Sequence, residues 1–330
     1  MINTALVTGA NGHLGNTIVR KLLTKGFHVK AGVRDLQNTD PFKGLNVELV
    51  ELDLLKPETI SPALQDVSIV FHCAAVFKHW APDPENEIIQ ANMKINQNLF
   101  SCPAIQQVEK IVFVSSITAL DYGETPLHEG RWNSNQDNPY AVSKTRTEKF
   151  ALQCAAEQKL DLVSILPAAI IGPFYNNRLT PSMEYLAGII SGQAMADPCF
   201  SFNYIHVDDV AEGAIMAAKK GKSGERYILG SEKQITTTEI FAIANKINPA
   251  VQIPAKMNKL SLQNFAAMQE AASRQSMTAP LLSQYEVDTY YEADLSIDMS
   301  KSRQDLGFFS RPVTDALIDT FYFLNSWRNV

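Results

Sequence analysis

Short apolar runs alternate with amphipathic stretches through the first half of the chain. Ala5–Val7, His28–Val33, Val47–Leu52, Ile69–Phe71, Lys110–Ser115 and Leu162–Leu166 read as strands, and Gly12–Lys25 carries a helical period. Strands that are apolar on both sides need cover on both faces, which amphipathic crossover helices supply. The pattern predicts an α/β protein built on a doubly wound parallel sheet. Another helix opens near Tyr140, where Pro139 presets the first φ. Beyond about residue 168 the connections lengthen and the segments turn mostly helical. A helix over 259–274 puts Leu260, Leu262, Phe265 and Met268 on related faces, as a lid or as packing, and a last helix runs Val313–Trp327. The expected division is 1–173 as one lobe, completed by a return at about 200–232, and 174–330 as a smaller, discontinuous, mostly helical one.

The turn after the first strand reads Thr8-Gly9-Ala10-Asn11-Gly12-His13-Leu14-Gly15. Glycines there let the backbone turn tightly and approach a pyrophosphate, whose charge is met by amides at the helix N-terminus. A Rossmann-type dinucleotide site is therefore expected. The second strand ends Val33-Arg34-Asp35. An acidic side chain at that end would accept the ribose hydroxyls of NAD, whereas Arg can meet the 2′-phosphate of NADP. Arg34 stands nearest the strand end, so NADP(H) is expected in preference to NAD(H).

Tyr140 and Lys144 are spaced i, i+4, which on a helix places their Cβ atoms on one face, roughly 6 Å apart. An ammonium beside a phenol stabilises the phenolate, so the pair can exchange a proton with an alcohol or carbonyl. Upstream, Ile111–Ser116 is an apolar strand ending in two serines, and a parallel strand delivers that end to the ligand crevice. Ser116 is expected to bond the substrate oxygen, and Ser115 to satisfy backbone or cofactor groups.

The order of glycine loop, Ser116, Tyr140 and Lys144 resembles the extended short-chain dehydrogenase/reductase family, within it the dihydroflavonol reductase-like branch. Val70–Ala75, Asp83–Asn92, Leu166–Pro173 and Tyr204–Ala211 are similar to further segments of that branch. The resemblance implies that Thr8, Gly9, Asn11, Gly12, His13 and Leu14 hold the pyrophosphate and Arg34 the 2′-phosphate. It implies Asp53 and Leu54 at the adenine, and Ala74 and Ala75 under the ribose and nicotinamide. Pro167, Ala168 and Ile170 would lie against the carboxamide through main chain, and Lys144 would also hold the nicotinamide ribose. Asn92 sits where the wider family orders a relay water. Ile95 stands where many relatives have Gly, and Ile117-Thr118 where sugar dehydratases have an Asp-Glu pair. The implied activity is hydride transfer between NADP(H) and a small carbonyl or alcohol. A nucleotide-sugar epimerase using the same tyrosine, and a non-catalytic NADP sensor, are the alternatives.

Composition narrows the partners. Twenty-nine basic against thirty-five acidic residues give −6, with no basic block, so nucleic-acid binding is not expected. No apolar run reaches membrane-span length, and the first residues run straight into a strand, so neither span nor leader is expected. Cys73, Cys102, Cys154 and Cys199 are scattered, which suggests buried thiols in the cytoplasm, in a monomer or homodimer. His206 with Asp208 and Asp209 lacks a second ligand at metal spacing; no metal is expected, and Asp208 is expected to cap the following helix. His79 and Trp80, after Phe77, either line the substrate pocket or pack their loop. Tyr175, Asn176, Asn177 and Arg178 are further pocket candidates.

Overall fold

The computed structural model describes residues 4–176 and 178–327, so Asn177 lies outside the described residues. In chain order the elements are β1 (Thr4–Thr8), α1 (His13–Thr24), β2 (His28–Val33), β3 (Glu48–Glu51), α2 (Ile60–Leu64), β4 (Ile69–His72), α3 (Ala91–Ser101) and β5 (Lys110–Val114). They continue with α4 (Pro139–Gln158), β6 (Leu162–Pro167), β7 (Ala169–Ile171), α5 (Pro181–Ile190), β8 (Ser201–Phe202), β9 (Tyr204–His206), α6 (Val207–Lys220) and β10 (Arg226–Leu229). The last are β11 (Ile235–Thr236), α7 (Thr237–Ile247), α8 (Lys259–Ser276), α9 (Gln284–Tyr290) and α10 (Val313–Trp327).

Seven strands form one parallel sheet in the order β3-β2-β1-β4-β5-β6-β10. The direction of winding reverses between β1 and β4, which opens a crevice at the carboxyl ends of those strands. Alternate side chains serve opposite faces. Ala5, Val7 and Val112 join the core that includes Ile18 and Val19 of α1 and Val210 and Ala214 of α6, while Leu6, Ile111 and Phe113 join Ile95, Leu99 and Ala151 on the other side. Ile95 is thus an ordinary core residue of α3. Expected and observed strands agree to within a residue or two at each end because, apart from the edge strand β3, burial on both faces leaves an unbroken apolar signature.

A third core gathers Phe174, Met183 and Leu186 with Ile240 and Phe241 of α7 and Leu317 and Phe321 of α10. On α8 the outcome differs from the expected apolar face: Leu262 and Ala266 are buried with Phe200 and Val287, but Leu260 and Met268 are exposed. This helix packs on little more than α9 and Phe200, so only a narrow stripe finds cover. The four cysteines are free and half-buried rather than fully buried. Among the described residues no helix is long and apolar enough to cross a membrane, and no group of three or more side chains could hold a metal.

The cap of α6 also departs from expectation. His206 is the N-cap residue, its Nδ1 accepting from the Asp208 amide at 3.1 Å while Nε2 bonds Asp319 at 2.8 Å. Asp208 falls inside the first turn, where its charge meets Lys21 at 3.4 Å.

Candidate active site

The glycine loop closes on itself. Ala10 N–H donates to Gly32 O at 3.2 Å and Gly12 N–H to Gly9 O at 2.9 Å. Gly9 has φ +63°, and a Cβ there would stand 3.0 Å from Ala74 Cα. At Gly15 a Cβ would collide with the Gly9 carbonyl. The tight turn therefore has no room for a side chain at Gly9 or Gly15. Behind it, α1 begins at Gly12 with no side-chain cap and no acidic residue in its first turn. Its first amides have no intrahelical acceptor and no internal carboxylate competing for them, the setting an anionic pyrophosphate requires.

Not every loop residue is placed to meet a pyrophosphate. Thr8 is fully buried, its Oγ1 2.9 Å from His72 Nδ1 and accepting from the amides of Cys73 and Ala74 at 3.1 and 3.0 Å. It ties β1 to the end of β4 instead of presenting its hydroxyl to a phosphate. His13 is buried against Phe174 with Nε2 3.1 Å from Pro173 O, and desolvation lowers its pKa to about 4. Leu14 is buried. Two of the pocket candidates are engaged here as well: Asn176 Nδ2 donates to Asn11 O at 3.0 Å, and the Arg20 guanidinium lies 3.5 Å from the centre of the Tyr175 ring. The segment after β7 thus clasps the glycine loop. Arg178 is exposed.

Arg34 follows β2 directly and is exposed, without an ion pair among the described residues. The Asp35 carboxylate turns into its own loop and accepts from Gln37 N–H at 2.9 Å. Asp53 likewise accepts from Leu55 N–H at 3.1 Å, beside buried Leu54, whose carbonyl is fixed by Asn98 at 2.7 Å. Ala74 is half-buried and Ala75 exposed at the end of β4. Pro167 closes β6, Ala168 N–H donates to Leu229 O at 2.8 Å and Ile170 pairs with Ile205, so much of this segment's main chain is engaged within the fold.

Helix α4 starts at Pro139 with Asn138 as N-cap, its Oδ1 accepting from Ala141 N–H at 3.0 Å. This fixes the first turn, so Tyr140 and Lys144 face the end of β5. There Ser116 lies near enough to the Tyr140 phenol to lower its pKa, and its Oγ accepts from Thr118 N–H at 3.2 Å. Lys144 Nζ donates to Val114 O at 3.0 Å and lies 5.9 Å from the centre of the Tyr140 ring. The three side chains are brought together, but the phenol's titration departs from expectation. Burial pushes the Tyr140 phenol well above its ordinary value, and the neighbouring Ser116 offsets only part of that. Burial lowers Lys144 to about 8, with Glu148 and Cys73 acting the other way.

Ser115 bonds neither backbone nor open space: its Oγ donates to Glu148 Oε2 at 2.7 Å. Asn92 has both ends of its amide occupied, Oδ1 by Val76 N–H at 2.7 Å and Nδ2 by Val76 O and Ser143 Oγ at 3.0 and 2.9 Å. Its side chain braces the loop after β4. That loop carries the rings that wall the site. Phe77 and His79 stand 5.0 and 4.8 Å from Tyr140, centroid to centroid. Tyr122 and Tyr290 lie within electrostatic range of the same phenol. Sequence reasoning missed Tyr122 and Tyr290, which no local pattern connects to Tyr140. It also missed Glu148, whose i, i+4 spacing from Lys144 was visible.

Comparison with known proteins follows the same lines. Residues 5–230 match the model of the NAD dependent epimerase/dehydratase family. A cinnamoyl-CoA reductase of Medicago truncatula is 31% identical over 274 residues, covering 77% of this chain and 83% of the relative. A dihydroflavonol 4-reductase of Callistephus chinensis is 31% identical over 278 residues, covering 77% of this chain and 75% of its own. The crystal structure of yeast methylglyoxal/isovaleraldehyde reductase complexed with NADPH superposes with a TM-score of 0.79 at 22% identity, covering 99% of each chain, a likeness of fold.

Proposed function

The chain belongs to the NAD dependent epimerase/dehydratase family, and from that premise we propose that it is an NADP(H)-dependent reductase of small-molecule carbonyl compounds. The observation that carries this reading is the Ser116–Tyr140–Lys144 cluster at the carboxyl end of β5, in a fold whose glycine loop has no room for a side chain at Gly9 or Gly15. In this reading residues 1–173, with about 200–232, carry the cofactor and the reacting groups, and the rest of 174–330 shapes the substrate side.

The residues present fit a dinucleotide. The Gly9–Gly15 loop and the open amides of α1 would hold its pyrophosphate, and Arg34 a 2′-phosphate. Asp35, turned into its own loop, supports NADP over NAD. When bound, the nicotinamide supplies the hydride.

The chain's own part is the proton and the orientation. Burial keeps the Tyr140 phenol protonated near neutrality, so its Oη serves as the acid toward a carbonyl oxygen. Ser116, beside that phenol, donates to the same substrate oxygen and fixes its position. The Lys144 ammonium, held on Val114 O, favours the phenolate left after proton transfer. Phe77 and His79 exclude water from the Tyr140 ring and suit an apolar or planar carbonyl substrate.

That wall of rings favours the reductase over the epimerase alternative, since a nucleotide diphosphate would call for cations there. The presence of both Tyr140 and Lys144 counts against a non-catalytic sensor. A panel of aldehydes, ketones and aryl carbonyls, assayed with NADPH and NADH in parallel, tests the proposal. Turnover with NADPH is expected, and NADPH binding without turnover of any member would favour the sensor.

A further inference from the structure

A second polar cluster lies one helical turn beyond Lys144, and the reaction outlined above does not use it. Glu148 is wholly buried on α4, and its carboxylate accepts from three other elements. Ser115, at the end of β5, donates at 2.7 Å and Ser164 of β6 at 2.6 Å. Arg226 of β10 donates through both arms of its guanidinium, Nε at 2.9 Å and Nη2 at 3.0 Å. Arg226 is itself held by the Glu129 carbonyl and by the Trp132 ring, 3.5 Å from its Cζ. A buried carboxylate costs several kcal/mol in lost hydration unless partners of this kind surround it.

A bland reading makes this a clamp that joins β10 to the sheet. The placement says more. Ser115 is the neighbour of Ser116, and Glu148 stands on the Tyr140–Lys144 face of α4, at i+8 and i+4. One carboxylate therefore touches the strand end that carries Ser116 while standing on the helix that carries the other two groups. We propose that Glu148 is a positioning residue, which sets the approach of β5 to α4 through Ser115 and holds negative charge beside the Lys144 ammonium.

Other groups face Lys144 too. Tyr140 comes from its own helix, and His72 and Cys73 from the end of β4. Burial holds His72 down to about 4 and the Cys73 thiol up to about 12, so both are neutral at ordinary pH. Glu148 is then the negative neighbour of Lys144, and Arg226 the positive charge paired behind it.

The inference rests on the reductase reading for its purpose, though its test does not require turnover. Trace acetylation of the full chain at a series of pH values, read by peptide mass spectrometry, gives the titration of Lys144 directly. Glu148→Gln is expected to move the labelling midpoint of Lys144 to lower pH by about one unit, because an attraction is lost and the Arg226 charge is left unpaired. Adding Arg226→Gln should bring the midpoint part of the way back. A midpoint unmoved by Glu148→Gln would overturn the proposal, whatever the variant does to stability.

Ser115→Ala leaves the ion pair intact and keeps the test open should Glu148→Gln fail to fold. It should lower kcat about three- to tenfold, the scale of one ordinary hydrogen bond, with KM for NADPH within about twofold. An unchanged kcat would overturn the proposal as well. Absence of carbonyl turnover by the unaltered chain would instead count against the reductase reading alone.

Discussion

The imidazole of His79 lies against the phenol ring of Tyr140, centroids 4.8 Å apart and planes at 50°. The loop after β4 thus meets the first turn of α4 across the reacting hydroxyl, and Asn92 holds it there through Val76. In the proposed reading a substrate carbonyl at Tyr140 would lie against this loop. His79→Ala should raise KM for the preferred carbonyl about two- to tenfold, the size of one lost ring contact, and leave KM for NADPH unchanged. Steady-state kinetics with both substrates varied would check it.

The cofactor side gives a sharper discrimination. Arg34 is exposed beside the end of β2 and has no ion pair among the described residues, so removing it disturbs little of the fold. Arg34→Ala should raise KM for NADPH about 10- to 100-fold, the scale of a charge-assisted phosphate contact, and leave KM for NADH within about twofold. Equal effects on the two cofactors would contradict the assignment of Arg34.

Gly15→Ala addresses the turn itself. The added methyl would collide with the Gly9 carbonyl, which is backbone and cannot move aside without reshaping the loop. NADPH binding, followed by fluorescence titration, should weaken more than about tenfold, and the melting temperature should fall as well.

Much of this arrangement was legible in the chain, and the reason is local spacing. Tyr140 and Lys144 are one turn apart on a helix that Asn138 and Pro139 begin, and the glycines sit between a plain strand and a plain helix. What escaped depends on contacts between distant segments. The Ser115 hydroxyl finds Glu148 thirty-three residues on, and Tyr290 reaches the site from the other end of the chain. His206 took the capping place assigned to Asp208 because its ring, fixed by Asp319, already points an acceptor at the helix N-terminus. The apolar positions of α8 share related faces, but only Leu262, Ala266 and their neighbours meet a partner. Periodicity marks which side chains share a face, whereas the depth of cover is set by what packs against it.

Two pH dependences follow from the buried groups. His13 and His72 are held at about 4 by desolvation, below the 6.5 of the unfolded chain. The folded state resists protonation and the unfolded state does not, so stability is fully present above pH 6.5 and is lost as pH falls toward 4. The loss should reach about 2–3 kcal/mol per histidine at the lower end. Urea unfolding at pH 7 and pH 5 should show a steeper loss for the unaltered chain than for His72→Asn.

Lys144 has the opposite consequence for rate. Its ammonium, lowered to about 8, is present below that pH and lost above it. Turnover should decline as pH rises through about 8, and the decline should move with the Lys144 labelling midpoint in the Glu148 variants.

Removal of one oxygen tests the central claim most directly. Tyr140→Phe keeps the ring against Phe77 and His79 but deletes the hydroxyl that would protonate the substrate. With NADPH and a carbonyl the unaltered chain turns over, kcat should fall about 100- to 10,000-fold, the range for a lost general acid, while the Kd for NADPH stays within about twofold. A variant that turns over at the rate of the unaltered chain would contradict the account.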